Sequence, residues 1–276
     1  MDGAGQAAQL EIHVGGSGLV LQYFAERPEN VAIQDLTPIS FIIPAHDEEL
    51  LIVSTVRAIR AAAEAARQPC EIIVVDDAST DRTASLAASE GVRVVSVQAR
   101  HISKARNAGA AAALGETFIF VDADTLITPE VVSATVRAIA AGAVGGGAAP
   151  RLDAASPRYG KVVMWVSWQA GRWLRLASGC YLYCTRAAFE RSGGFDEGLY
   201  AGEELALSRA LRTHGRFVML REQVVTSGRK MRTHSFREIM GMMARMAVRG
   251  PRVLKSRDGL ELWYGPRRRE KHSPER

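Results

Sequence analysis

Residues 103–125 read SKARNAGAAAALGETFIFVDADT, an alanine-rich helical stretch that runs into the apolar run TFIFV and then into two acids separated by one residue. The order is helix, buried strand, acidic strand end. Working outward, the same rhythm recurs: ISFII at 39–43, EIIVV at 71–75 and VRVVSV at 92–97 are short apolar runs, each followed by polar residues and a helical segment. Short β-branched runs without alternation belong to a parallel sheet covered on both faces, and helices between them make βαβ units. The chain is therefore expected to be α/β, with a central, mostly parallel sheet flanked by helices.

Local signals place the helices. Residues 50–68 are alanine-rich and favour a long helix by propensity, and the next helix should open near Ser79 to Thr83. Ser103 reads as the cap of the helix that follows it. Thr128-Pro129-Glu130 combines a cap, a first-turn proline and an acid suited to the positive helix end. Beyond Gly142–Ala149, read as a flexible stretch, strict alternation stops. A Trp-rich segment, a helix over about 203–213 and a Met-rich helix opened by the capping-box spacing of Ser235 and Glu238 complete the pattern. The domain plan is an N-terminal arm at 1–37, an α/β domain at 38–250 divided near residue 141 into a donor half and an acceptor and catalytic half, and a basic tail at 251–276.

Composition narrows the class. The chain has 276 residues, 47% hydrophobic and 24% charged, which excludes disordered, collagen-like and disulfide-scaffold proteins. The longest run without an acidic residue, Lys or Arg, Ile12–Ala25, is 14 residues, short of the ~20 that cross a bilayer. The opening MDGAGQAAQLE lacks the basic start and apolar run of a signal peptide, so a cytoplasmic location is expected. Cys70, Cys180 and Cys184 have no metal-site spacing and read as reduced thiols. Residues 1–140 carry 10 basic and 18 acidic side chains, and residues 141–276 carry 25 and 12. An acidic pole can hold a divalent cation, and a basic one can meet phosphate, anionic lipid or nucleic acid.

Ligands of open α/β sheets bind at the carboxyl ends of the strands. Three apolar runs here end in acids: Pro44-Ala45-His46-Asp47-Glu48-Glu49, Asp76-Asp77, and Asp122-Ala123-Asp124. Either acidic pair alone could cap a turn. Gathered on one rim, such carboxylates repel unless a hard cation offsets them, which points to metal-assisted chemistry on a phosphorylated substrate.

Five segments in order, SFIIPAHDEE, EIIVVDDASTDRT, SKARNAGAAAALGETFIFVDADT, RAAFERSGGFDE and GEELALSRALRTHGRF, resemble the GT-A-type glycosyltransferases of family 2 over about residues 39–240. The resemblance implies a GT-A-type, Rossmann-like fold and a nucleotide-diphosphate-sugar donor. By position, Pro44, Ala45 and Glu48 would line the nucleoside pocket, Asp77 would contact the base, and Asp122 would face ribose and sugar. Asp124 would bind Mg²⁺ or Mn²⁺ at the diphosphate. Arg106 would lie near the donor, the alternative being a surface helix arginine. The family often has Glu-Asp at the start of a helix as catalytic base; here it is Glu203-Glu204, and Glu204 departs from the usual Asp by one methylene. The same pair could simply complement the helix dipole.

The basic loop that contains Arg229 and Lys230 would neutralise the leaving diphosphate. His234 would be a third metal ligand, as in some members of the fold, or a solvated loop residue. Trp165, Trp168 and Trp173 are assigned mainly to core packing, with an acceptor-facing role as the alternative. Ile239, Met243 and Met246 give the final helix a basic amphipathic character compatible with peripheral contact at the inner face of a membrane.

The expected activity is metal-dependent, inverting transfer of a sugar to a glycan or lipid-linked acceptor. The competing readings are a sugar-phosphate nucleotidyltransferase, whose glycine-rich loop should continue to Thr-Arg where Gly15–Gly18 here continues to Leu19-Val20, and a non-catalytic membrane or nucleic-acid binder. No interleaved aromatic and basic motif for nucleic acid is present, and none is expected as partner.

Overall fold

A computed structural model describes residues 38–235 together with 238, 239, 241, 254–257, 260 and 264. The expected arm at 1–37, the apolar positions Met243 and Met246, and residues 265–276 lie outside the described residues.

The four apolar runs are strands: β1 (Ile39–Ala45), β2 (Cys70–Asp77), β3 (Arg93–Val97) and β4 (Thr117–Val121). They pair in parallel in the order β3-β2-β1-β4. Every residue of β1 and β4 is buried, as expected of strands covered on both faces. The crossovers are α1 (Ile52–Ala65), α2 (Thr83–Ser89) and α3 (Ile102–Ala112). After β4 come β5 (Thr125–Leu126), α4 (Pro129–Ala140), β6 (Ala143–Leu152), α5 (Arg158–Leu174), β7 (Tyr181–Thr185), α6 (Arg186–Arg191), α7 (Glu203–Arg212), β8 (Arg216–Thr226) and α8 (Arg229–Thr233). The eight-stranded sheet runs β3-β2-β1-β4-β7-β6-β8-β5. Its second half is mixed: β7 is antiparallel to β4 and β6, while β6 and β8 are parallel. One apolar core lies on each side, the first built on α1 and α4 against Phe41, Val74 and Tyr181, the second on α3, α6 and α7 against Ile42, Phe120 and Leu182.

Three local expectations are corrected. Residues 143–149 are a strand and not a flexible stretch. A Cβ at Gly146 would collide with the Val218 carbonyl oxygen and lie 2.6 Å from Tyr183 Cζ, so glycine lets β6 pass between β8 and a buried tyrosine. His101, in extended backbone, occupies the N-cap position of α3 two residues before the expected Ser103, whose hydroxyl is buried and donates to the Leu199 carbonyl at 3.2 Å. The tryptophans of α5 are not core: Trp165 and Trp173 are exposed, at 61% and 84%, and Gly160 is the helix's one buried residue.

The capping box is present. Ser235 N–H donates to Glu238 Oε2 at 2.7 Å, and Glu238 N–H returns to Ser235 Oγ at 3.3 Å. Among the described residues no helix is long and apolar enough to cross a membrane.

Candidate active site

The carboxyl ends of β1 to β4 and the start of α7 open onto one cavity of about 400 Å³. Pro44, Ala45, Glu48, Asp77, Arg106, Asp122, Asp124 and Glu204 all line it, so eight of the ten residues singled out in the sequence meet at one place. The loops that carry them hold unusual backbone. Asp47, Ala78 and Arg100, which follow β1, β2 and β3, each have positive φ (51°, 58° and 49°), a conformation that side chains other than glycine adopt at a cost and that clusters at functional sites.

Asp77 fixes the third of these loops. Its Oδ1 accepts the backbone N–H groups of Ala99 (2.8 Å) and Arg100 (2.7 Å), and its Oδ2 that of His101 (2.6 Å). The carboxylate expected to touch a base is thus, first, the anchor of the wall beside it. His46 joins the same wall: its Nδ1 lies 2.8 Å from the Asp77 carbonyl oxygen and its Nε2 contacts Arg100.

Arg106 is no surface arginine. It is 2% exposed, donating from Nη1 to Glu203 Oε1 at 2.6 Å and from Nη2 to Asp122 Oδ1 and the Gly179 carbonyl, both at 3.0 Å. Its guanidinium lies 5.1 Å from the centre of the Phe195 ring. A buried guanidinium needs such a cage, and its planar fork serves two carboxylates at once. Burial raises the Asp122 carboxyl, against the opposing charges of Arg106 and Lys230.

Gly202, at φ 73°, turns the chain into α7 and delivers Glu203 and Glu204 as its first two residues. Successive helical positions point about 100° apart. Glu203 is therefore taken by Arg106, while the Glu204 carboxyl lies against Gly179, where an added Cβ would come within 3.9 Å of Glu204 Cδ. Burial, followed by the neighbouring Glu203 charge, pushes the Glu204 carboxyl up to about 8.

Two expected residues fall outside the cavity wall. Arg229 donates through Nη2 to both oxygens of Glu48, at 2.7 and 2.8 Å, so the two expected donor ligands hold each other. Its neighbour Lys230 lines the cavity in its place. His234 ends α8 in extended backbone, with Nδ1 3.0 Å from Thr233 Oγ1 and 3.2 Å from the Lys230 carbonyl oxygen. It turns back on its own helix and does not line the cavity, and among the described residues no group of three His, Cys, Asp or Glu is assembled for a metal.

Residues not singled out in the sequence complete the wall. His101 is 3% exposed, lines the cavity and, among the described residues, has no hydrogen-bond partner at either ring nitrogen. Burial, then the nearby charges of Lys104 and Arg257, lower its pKa. Its ring packs on Tyr200 at 4.5 Å, and the Tyr264 hydroxyl donates to the Tyr200 carbonyl at 2.9 Å. Arg257 closes the group by donating to the carbonyls of Ala99 (3.1 Å) and Arg100 (2.7 Å). Nothing in the spacing of 254–264 signals a return to the site, because the contacts span more than 60 residues of chain.

The family model described as Glycosyl transferase family 2 matches residues 40–189. The chain belongs to that family. Among solved structures of the same fold, glucosyl-3-phosphoglycerate synthase from Mycobacterium tuberculosis in complex with Mn²⁺, UDP and phosphoglyceric acid aligns at TM-score 0.55 and 19% identity, over 87% of this chain and 84% of that one. S. aureus TarS 1–349 in complex with UDP aligns at 0.54 and 18%, over 69% of this chain, which spans 60% of the TarS fragment. The mannosyltransferase PcManGT from Pyrobaculum calidifontis, in complex with GDP-Man and Mn²⁺, aligns at 0.55 and 19%, over 82% and 68%. No curated protein sequence matches the chain. The GT-A fold of these neighbours is the α/β architecture described above, with its central sheet flanked by helices.

Proposed function

We propose that this family 2 member transfers a sugar, with inversion, from a nucleoside-diphosphate donor to the hydroxyl of a glycan or lipid-linked acceptor. The observation that carries the reading is the unequal treatment of two adjacent carboxylates: Glu203 is locked to Arg106, and Glu204 faces the cavity with a pKa raised to about 8. A general base is most effective when its pKa lies near the working pH.

In this reading Pro44, Ala45 and the loop held by Asp77 form the nucleoside wall, and Asp122 with Arg106 faces ribose and sugar. Ionised Glu204 takes the acceptor proton as the hydroxyl oxygen attacks the anomeric carbon. The bond from that carbon to the diphosphate oxygen breaks, its electron pair stays on the leaving group, and the Lys230 ammonium on the cavity wall offsets the added charge.

The residues present fit a divalent ion. Asp124 and Asp122 both reach the cavity, and Mg²⁺ or Mn²⁺ is commonly held by one or two carboxylates with substrate phosphates and water in the other positions, so a three-residue cage is not required. Such an ion, when bound, supplies positive charge to the diphosphate. Asp124 is its proposed protein ligand, and His234 is left out of the assignment. The Mn²⁺, UDP and GDP-mannose of the structural neighbours support the class of donor and ion.

Calorimetry with UDP, GDP, dTDP and CDP, each with and without Mn²⁺, tests the proposal. Metal-dependent binding of one nucleotide is expected, with Asp124→Asn losing the metal dependence while keeping its fold by circular dichroism. Failure of folded protein to bind any of the four would overturn it.

A further inference from the structure

We propose that the outward face of α5 docks this protein on an anionic lipid bilayer. The helix has its apolar residues on the wrong side for a core. Val162, Trp165, Val166 and Trp173 are 60%, 61%, 52% and 84% exposed, and the offsets of 3, 4 and 11 residues from Val162 put them on one stripe of a 17-residue helix about 25 Å long. Single exposed apolar residues are ordinary; a contiguous stripe with two tryptophans marks an interaction surface.

Charge selects the occupant. Arg158, Lys161, Arg172 and Arg175 lie in or next to the helix, and no acidic residue occurs between Asp153 and Glu190. Among the described residues none of these four cations has an ion pair. A second copy seated on this face would set arginine against arginine with no carboxylate to offset them, whereas an anionic bilayer accepts both halves of the pattern. Tryptophan settles at the headgroup level and basic side chains meet the phosphates.

The same helix borders the candidate active site. Met164 lines the cavity, and the adjacent Trp165 lines a second, outer groove together with Arg151, Lys161, Arg172 and Arg221. Docking through α5 therefore sets this basic groove near the level of the headgroup phosphates, on the same helix whose opposite face borders the cavity. The membrane contact expected from the final helix is assigned here to a different element. It stands apart from the donor chemistry and can be tested without nucleotide.

The experiment is flotation of the full chain with phosphatidylcholine vesicles, with and without phosphatidylglycerol, at low and high salt. Binding is expected to the anionic vesicles alone and to weaken with salt. Trp165→Ala/Trp173→Ala should lose the bound fraction, and Lys161→Glu and Arg172→Glu should each weaken partitioning by about an order of magnitude. All four side chains are exposed, so circular dichroism and nucleotide binding should match the parent protein. Absence of binding to anionic vesicles, or binding unchanged in the Trp double variant and in both charge reversals, overturns the proposal. A dimer that dissociates in the Trp double variant, seen by sedimentation without vesicles, would reassign the face to self-association.

Discussion

Glu204 is the base of the proposed mechanism, and its environment sets a pH dependence of definite sign. A base must be ionised to accept a proton, so with the carboxyl raised to about 8, kcat/KM should climb with pH through that value and level off above it. Glu204→Gln should lower turnover by ~10²–10⁴ and abolish this ascending limb while leaving nucleotide binding intact. An unchanged pH profile in the variant would move the base elsewhere. Stability runs the other way. The unfolded carboxyl ionises near 4.5 and the folded one near 8, so stability falls as pH rises between the two and stays reduced above. Glu204→Gln should therefore raise the melting temperature at pH 9 more than at pH 5. The sequence names Glu204 through its family position, but the division between it and Glu203 depends on Arg106, 97 residues distant in the chain, which spacing does not reveal.

At the level of elements, the first four strands and the helices between them are legible because uniform apolar runs leave no other placement. Strand β6 is not. Its AVGGGAAP run has the composition of a linker, and only the neighbours that fill the space of the missing side chains turn it into a packed strand. Gly146→Ala tests this. The methyl has nowhere to go between the Val218 carbonyl and Tyr183, and a loss of about 1–3 kcal/mol in urea denaturation is expected for overpacking; a neutral substitution would show that β6 can yield. Helix α5 fails for the opposite reason. Its amphipathic period is plain, but the pattern alone does not say which face looks inward.

For the whole molecule, the acidic and basic halves of the sequence meet at a few named contacts. Arg229 reaches across 181 residues to Glu48 and joins α8 to the loop after β1. Both groups are largely out of water, with side-chain exposures of 14% and 7%. Arg229→Met should cost roughly 1.5–3 kcal/mol, the range for a hydrogen bond to a buried charged group, and Glu48→Gln in the same chain should restore part of it. A double variant no better than the sum of the singles would show that the pair is not coupled.

The grip of Arg257 on the carbonyls of Ala99 and Arg100, and of Tyr264 on Tyr200, has a bearing on the order in which the protein is made. A growing chain can lay down the eight described strands by residue 226 and still lack these braces. The wall beside His101 gains them only when residue 264 has left the ribosome, so a nascent chain stalled after β8 would carry those strands and an unfinished site.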